Sequence, residues 1–518
     1  MNSTIEVGKY TLESLTTGMY EQPLIIYREY IQNAVDSLEL AAKNRVITSL
    51  DMRIDIVIDE ENRFASITDN GMGIPVASAA SILLSVGASQ KLHSESRGFR
   101  GIGRLGGLSY CDELIFRTTY PGENKATVVS YDCKKLKALL IPGANDGMSM
   151  EDVVRAVSSV QYIEADSDEH SFVVEMLGID ADTELISIDD VTNYLSQCAP
   201  VPYTPAFFMS DEIHRYLQAK GFPISEFPVF IGRPNGKMKP IHKAFKRHYT
   251  AGRERIDNTI YQVTLLDVVN EDGKLIAIGW YANTDWLGTI HDDSIRGIRL
   301  RKGNIQIGDD RTLNSIFSQA RFNGWNQGEI YVIDENLIPN ARRDNFEQNQ
   351  AYHSLMRCLK NGIGAELSTA IGKASRERND PSKKAINEAL KAVAEGNAAL
   401  EEGFASGVSK QRIVESLNRT LETTKDAAER KSRNGETAVK PKNAEALQDA
   451  VQQLEATLDR VEESSHYKTD VLKGRIGNKE KRILTIVTNV LSDYFDDQLV
   501  NRIIDQINEV ILHGTRKG

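Results

Sequence analysis

The stretch LIIYREYIQNAVDSLELA, residues 24–41, decides how this 518-residue chain is read. Its apolar positions return every three or four residues, the spacing of an amphipathic helix. Glu29, Asn33 and Asp36 fall at i, i+4 and i+7, so one helical face presents a carboxylate, an amide oxygen and a second carboxylate. On a solvated surface that face is ordinary. Ile25, Ile26, Ile31, Ala34 and Val35 argue instead for a largely buried helix, where Glu and Asn need partners that a metal and phosphates would supply.

Two segments downstream bear on the same chemistry. SITDNGMGIP, residues 66–75, reads as a strand that ends in Asp69 and turns through Gly71 and Gly73. Such a turn is common; an aspartate there can also accept a hydrogen bond from an exocyclic amine, while the glycines let a flat base approach the backbone. RGFRGIGRLGGLSYCDELIF, residues 97–116, holds Gly98, Gly101, Gly103, Gly106 and Gly107 ahead of an apolar strand. That density suits a loop folding over phosphates, donating backbone N–H groups and moving like a lid. Each motif alone is weak, and the Walker pattern GxxxxGK[ST] is absent.

Outward from these motifs, residues 1–180 alternate helical patterns with β-rich runs such as DMRIDIVID, DELIFRTT and ATVVSYD, which predicts helices layered on a sheet. Residues 185–350 contain Trp280, Trp286 and Trp325 and a second set of β-like runs, including LIAIGWYA and GEIYVID. Beyond residue 351 proline falls to Pro381 and Pro441, and Ala, Glu, Lys and Leu take over, which is helical composition. Leu447, Val451, Leu454, Leu458 and Val461 keep the 4,3 spacing of a coiled-coil seam, and residues 483–512 carry a broad apolar stripe. Both stripes suit packing inside one chain or a dimerisation module. Residues 431–442 read as an exposed linker. The length predicts about three domains: 1–182, 183–350 and 351–518.

A formal net charge of -11 weakens a nucleic-acid role without removing it. Cys111, Cys133, Cys198 and Cys358 are scattered and show no metal-ligand spacing, as in a reduced cytosolic protein. The opening MNSTIEVGKY lacks a secretory pattern, and no run of about 18 apolar residues suggests a membrane span, so the expected location is cytoplasmic, with no membrane partner.

Together, in this order and spacing, the three motifs resemble those of the GHKL (Bergerat-fold) ATPase superfamily, and most of all its ninety-kilodalton heat-shock chaperone (HtpG-like) branch. Glu29, Asn33 and Asp36 match ExxxNxxD; Asp69, Gly71 and Gly73 match DxGxG; Gly98, Gly101, Ile102 and Gly103 belong to the glycine lid. SVGASQK, residues 85–91, resembles the small-residue turn before the lid, with Ser89 and Lys91 as its polar members. The resemblance implies an ATPase using ATP and Mg2+, in which Glu29 polarises the attacking water, Asn33 holds the magnesium and Asp69 reads the adenine amine. The family's Gly-Thr at the last strand is replaced by His170-Ser171, so Ser171 would serve there.

The resemblance extends to RGIRLRKGNIQIGD and GEIYVIDENLIPNARRDNFE, where an Asn-x-x-Arg loop places Arg343 after Asn340 as the arginine sent to the γ-phosphate. It implies an α+β chain: a Bergerat-type α/β sandwich, a ribosomal S5-like middle domain and an all-α coiled-coil tail. ATP-driven closure would act on a protein client or complex partner, with a homodimer expected. The same closure serves DNA clamps of the MutL and MORC kind, or an assembly ATPase in a bacterial defence complex. Arg299, Arg301 and Lys302 form a basic strand, read either as a solvated edge or as a phosphate or DNA contact.

Overall fold

The computed structural model describes residues 7–15, 22–87, 103–143, 147–253, 255–429, 441–467 and 478–495, with isolated positions beyond. The chain is mixed α+β and divides into two compact units, residues 1–371 and 372–518.

The first unit opens with α1 (Tyr10–Leu15) and α2 (Ile25–Lys43). A sheet follows, built from β1 (Ile54–Asp59), β2 (Phe64–Asp69), β3 (Glu113–Thr119), β4 (Lys125–Asp132), β5 (Ser158–Glu164), β6 (Ser171–Leu177), β7 (Val229–Gly232) and β8 (Lys239–Pro240). Its order is β5-β4-β3-β6-β2-β1-β7-β8, with β1 and β7 parallel and the other neighbours antiparallel. In β1 the sequence IDIVID alternates buried and half-buried positions, so Ile54, Ile56 and Ile58 turn to one face. Helices cover that face: α2, α3 (Val76–Leu84), α4 (Cys133–Leu140), α5 (Met150–Val157) and α6 (Ile188–Cys198). Tyr27, Leu83, Leu136, Val153 and Leu195 enter one core with the strand residues. Side-chain oxygens start several of these helices: Asp132 caps α4, Ser149 and Asp152 form a capping box on α5, and Ser187 caps α6.

After α7 (Ser210–Ala219) and a hairpin of β9 (His248–Ala251) and β10 (Ile256–Thr259) comes a second sheet. Its strands are β11 (Gln262–Val269), β12 (Leu275–Asn283), β13 (Gly297–Lys302), β14 (Ile305–Ile307) and β15 (Gln327–Val332), in the order β11-β12-β15-β13-β14. Ile278, Trp280 and Ala282 of β12 face Ile213 and Leu217 of α7. Ala277 and Tyr281 share the opposite core with Leu355 and Leu359 of α8 (Gln350–Leu359). Burial on both faces explains why β12 reads as an apolar run rather than an alternation.

The basic strand of the sequence is not a solvated edge, and its two arginines are shut away from solvent. β13 lies between β15 and β14, and Arg299 and Arg301 are each 1% exposed. Arg301 Nε donates to the buried Glu329 carboxylate, which also accepts from Lys243 Nζ at 3.0 Å and from the Tyr203 and Tyr331 hydroxyls. Burial alone would raise the Glu329 pKa; the Arg301 and Lys243 charges outweigh it and hold the carboxyl well below its ordinary range. Desolvation and the Arg301 charge lower the Lys243 pKa as well, to about 7. Arg301 also donates to Gln197 O at 2.6 Å, and Arg299 to Gln197 Oε1 at 2.9 Å. Both guanidinium groups thus hold the last turn of α6, where free carbonyls favour a cation.

α9 (Ala365–Asn379) runs across the boundary into the second unit, which contains α10 (Pro381–Glu402), α11 (Gly407–Glu429), α12 (Pro441–Glu463) and α13 (Asn478–Tyr494). α10, α11 and α12 pack mutually. Leu447, Leu454 and Val461 are buried, so this seam is filled inside the chain by α10 and α11. The later stripe is exposed at Ile483, Ile486, Val487, Val490, Leu499 and Val510, and it is the neighbouring Leu484, Val500 and Ile504 that are buried. The linker read at residues 431–442 lies outside the described residues up to position 440. Among the described residues no helix is long and apolar enough to cross a membrane.

Removing one partner of the Glu329 network leaves buried charge uncompensated, so Glu329→Gln should lower unfolding stability by about 3–5 kcal/mol. Urea denaturation checks this; an unchanged midpoint contradicts the network's role.

Candidate functional site

α2 is apolar enough to be buried along Ile26, Tyr27, Ile31, Ala34, Val35 and Leu38, and this carries Glu29 inward to 8% exposure. Its carboxylate meets two separate pieces of chain. Gly103 opens a 3-10 turn, Gly103–Ser109, whose backbone presses on α2: a Cβ at Gly103 would lie 2.3 Å from Glu29 Oε2. The turn is tied to α2 by Tyr30, whose hydroxyl donates to Arg104 O and accepts from Gly107 N, each at 3.2 Å.

The second piece is the loop of Arg343. Arg343 Nε stands 3.4 Å from Glu29 Oε1, with both side chains about nine-tenths buried. The loop closes as a tight turn, Asn340 N donating to Asn345 O and Arg343 N to Asn340 O. Arg343 itself adopts φ +56°, a left-handed conformation that costs a non-glycine residue about 1 kcal/mol. Gly308 N holds it there by donating to Arg343 O at 2.9 Å. Arg28, 4% exposed, completes the junction: one guanidinium nitrogen donates to Arg342 O at 2.9 Å and lies 3.5 Å from Glu29 Oε1. Two arginines therefore flank one carboxylate, at distances longer than a tight ion pair.

Asp69 ends β2 and is 3% exposed. Its Oδ1 accepts from Gly71 N at 2.9 Å. Desolvation pushes its pKa up to about 7, against the pull of the Gly71 N–H and the Ser37 hydroxyl. Gly73 takes φ +65°, and a Cβ there would fall 1.8 Å from Thr119 O, so only glycine fits. Ser171 begins β6 opposite Thr119, their hydroxyls 3.1 Å apart, while Phe172 pairs with Asp69. His170 Nδ1 is 2.9 Å from Gly71 O, and Thr118 Oγ1 accepts from Ile74 N at 2.9 Å. The ends of β2, β3 and β6 thus gather Asp69, Gly71, Gly73 and Ser171 around one turn.

Asn33 and Asp36 are half-buried along α2 between these two groups. Ser89, Lys91, Gly98, Gly101 and Ile102 lie outside the described residues. Sequence reasoning did not single out Arg28, Gly308, Thr118 or Thr119, none of which is a defining position of the motifs. Beside the arginine loop runs a polar cleft of about 600 Å³ lined by Arg28, Tyr194, Gln197, Arg296, Asp309 and Arg342. It contains neither Glu29 nor Asp69 and is a neighbour of the site rather than the site. Among the described residues no three His, Cys, Asp or Glu side chains converge to hold a metal.

A carboxyl group with a raised pKa makes stability pH-dependent in a fixed direction. Between pH about 4 and 7 folded Asp69 keeps a proton that the unfolded chain releases, so its contribution falls as pH rises and is fully lost above about 7. Asp69→Asn should remove that slope and raise nucleotide-free stability at pH 8 by at most about 4 kcal/mol. Calorimetry at pH 5 and 8 checks it; parallel pH profiles for both proteins contradict it.

No family model matches the chain. A stretch of it is similar to the chaperone protein HtpG of Helicobacter hepaticus, 28% identical over 133 residues. That similarity covers 22% of this chain and 22% of the relative, so the chain spans about a fifth of that protein's length.

Proposed function

We propose that this chain is an ATP-hydrolysing conformational switch of the GHKL type, acting on a protein partner. Residues 1–182 would cage the nucleotide, 183–350 would supply the arginine, and 351–518 would serve as the helical partner or dimerisation region. One observation carries this reading: Glu29 of α2 faces Arg343, 314 positions later, while Gly103 abuts the same carboxylate. A buried acid with a cation and open backbone beside it is what phosphoryl transfer to water uses. The partial similarity to HtpG supports the same class.

Asp69 would accept a hydrogen bond from the adenine amine, with Gly71, Gly73 and Ser171 shaping the base pocket. The γ-phosphate would compete with Glu29 for Arg343 and leave the carboxylate as a base. The water O–H bond then breaks, its proton passing to Glu29, while the oxygen bonds to the γ-phosphorus. The bond from phosphorus to the bridging oxygen breaks and ADP leaves with its electron pair. Arg343 would neutralise the charge that develops on the phosphoryl oxygens. Bound magnesium, held through Asn33, would supply further charge neutralisation on the phosphates.

Glu29→Ala should leave ATP binding nearly intact and stop hydrolysis; equal loss of both removes Glu29 from the base role. Arg343→Ala should slow turnover by about 10²–10³-fold while ADP affinity is unchanged, measured by phosphate release and calorimetry. Turnover equal to the parent protein's would exclude the arginine.

A further inference from the structure

Gln32 is 1% exposed, and neither its Oε1 nor its Nε2 has a hydrogen-bond partner among the described residues. An amide buried without partners is costly, and a folded chain retains few of them. Gln32 stands three residues after Glu29 and four before Asp36, so these side chains are neighbours on one helical face. That is the face along which Glu29 meets Gly103 and Arg343. The missing partner must offer both a proton for Oε1 and an acceptor for Nε2. A phosphate oxygen alone accepts, and a metal-bound water alone donates; a free water next to a phosphate satisfies both atoms.

We propose that Gln32 is a further catalytic residue that orients the attacking water, a role that rests on the ATPase reading above. Oε1 accepts one water proton while Glu29 takes the other, which leaves a lone pair directed at the γ-phosphorus. Nε2 donates to a γ-phosphate oxygen. The amide stays neutral, and no atom of it enters the bonds that form or break. The burial of an unpaired amide is then the cost of a site completed only when ATP and its water are present.

Gln32→Met keeps the length of the side chain and removes both hydrogen-bonding atoms. The variant and the parent protein are compared for ADP and ATP binding by calorimetry, for single-turnover phosphate release at saturating ATP and for the thermal midpoint without nucleotide. The expected result is ADP affinity within about twofold, ATP affinity weakened by loss of the γ-phosphate contact, turnover at saturating ATP reduced at least about tenfold, and a midpoint raised by about 2–4 °C because a buried unpaired amide is gone. Parent-like turnover in the variant overturns the proposal while the ATPase reading stands. A lowered midpoint also overturns it, because the amide is then satisfied within the fold. A parent protein that binds no ATP removes both readings, and Glu29→Ala run in parallel separates these cases.

Discussion

The structure of the first unit depends on one buried carboxylate. Glu29 is carried inward by the apolar face of α2 and cannot stay there uncompensated, because an isolated charge in a protein interior is far less stable than one in water. Arg343 and Arg28 supply the compensation. Arg343 reaches it from a loop on the second sheet, and Arg28 ties that loop through its guanidinium, which donates to the Arg342 carbonyl. The helix of the first sheet and the loop of the second therefore fix each other, although 314 positions separate them in the chain. Any anion that draws Arg343 away changes what holds the two together.

A second connection runs through α6. Its last turn is held by Arg299 and Arg301 of β13, and the helix packs against α2. Arg301 is itself set by Glu329, which Lys243, Tyr203 and Tyr331 surround with donors. Buried ionic groups so completely paired favour one arrangement over its neighbours, because any shift leaves a charge without a partner. The second sheet thus bears on α2 at two points, the arginine loop and the end of α6.

Much of the candidate site was legible in the sequence because it follows short-range rules. The period of residues 24–41 fixed the burial of α2, and the turn after Asp69 follows from Gly73, which alone tolerates the approach of Thr119 O. Arg28, Arg299 and Arg301 were illegible for a common reason. Charge on a helix or strand reads as solvated, and only tertiary pairing, with Arg342 O or with Glu329, permits its burial. The seam at Leu447, Leu454 and Val461 was readable as a buried stripe, but its partner was not: periodicity states that a face must be covered, not by which helix.

The most direct test of the account is a crystal structure of the full chain with magnesium and the β,γ-imido analogue of ATP. The account predicts the adenine amine within hydrogen-bond distance of the Asp69 carboxylate and the γ-phosphate within reach of both Glu29 and Arg343. A nucleotide seated elsewhere, with Asp69 bonded only to its own turn and Arg343 still on Glu29, would contradict it.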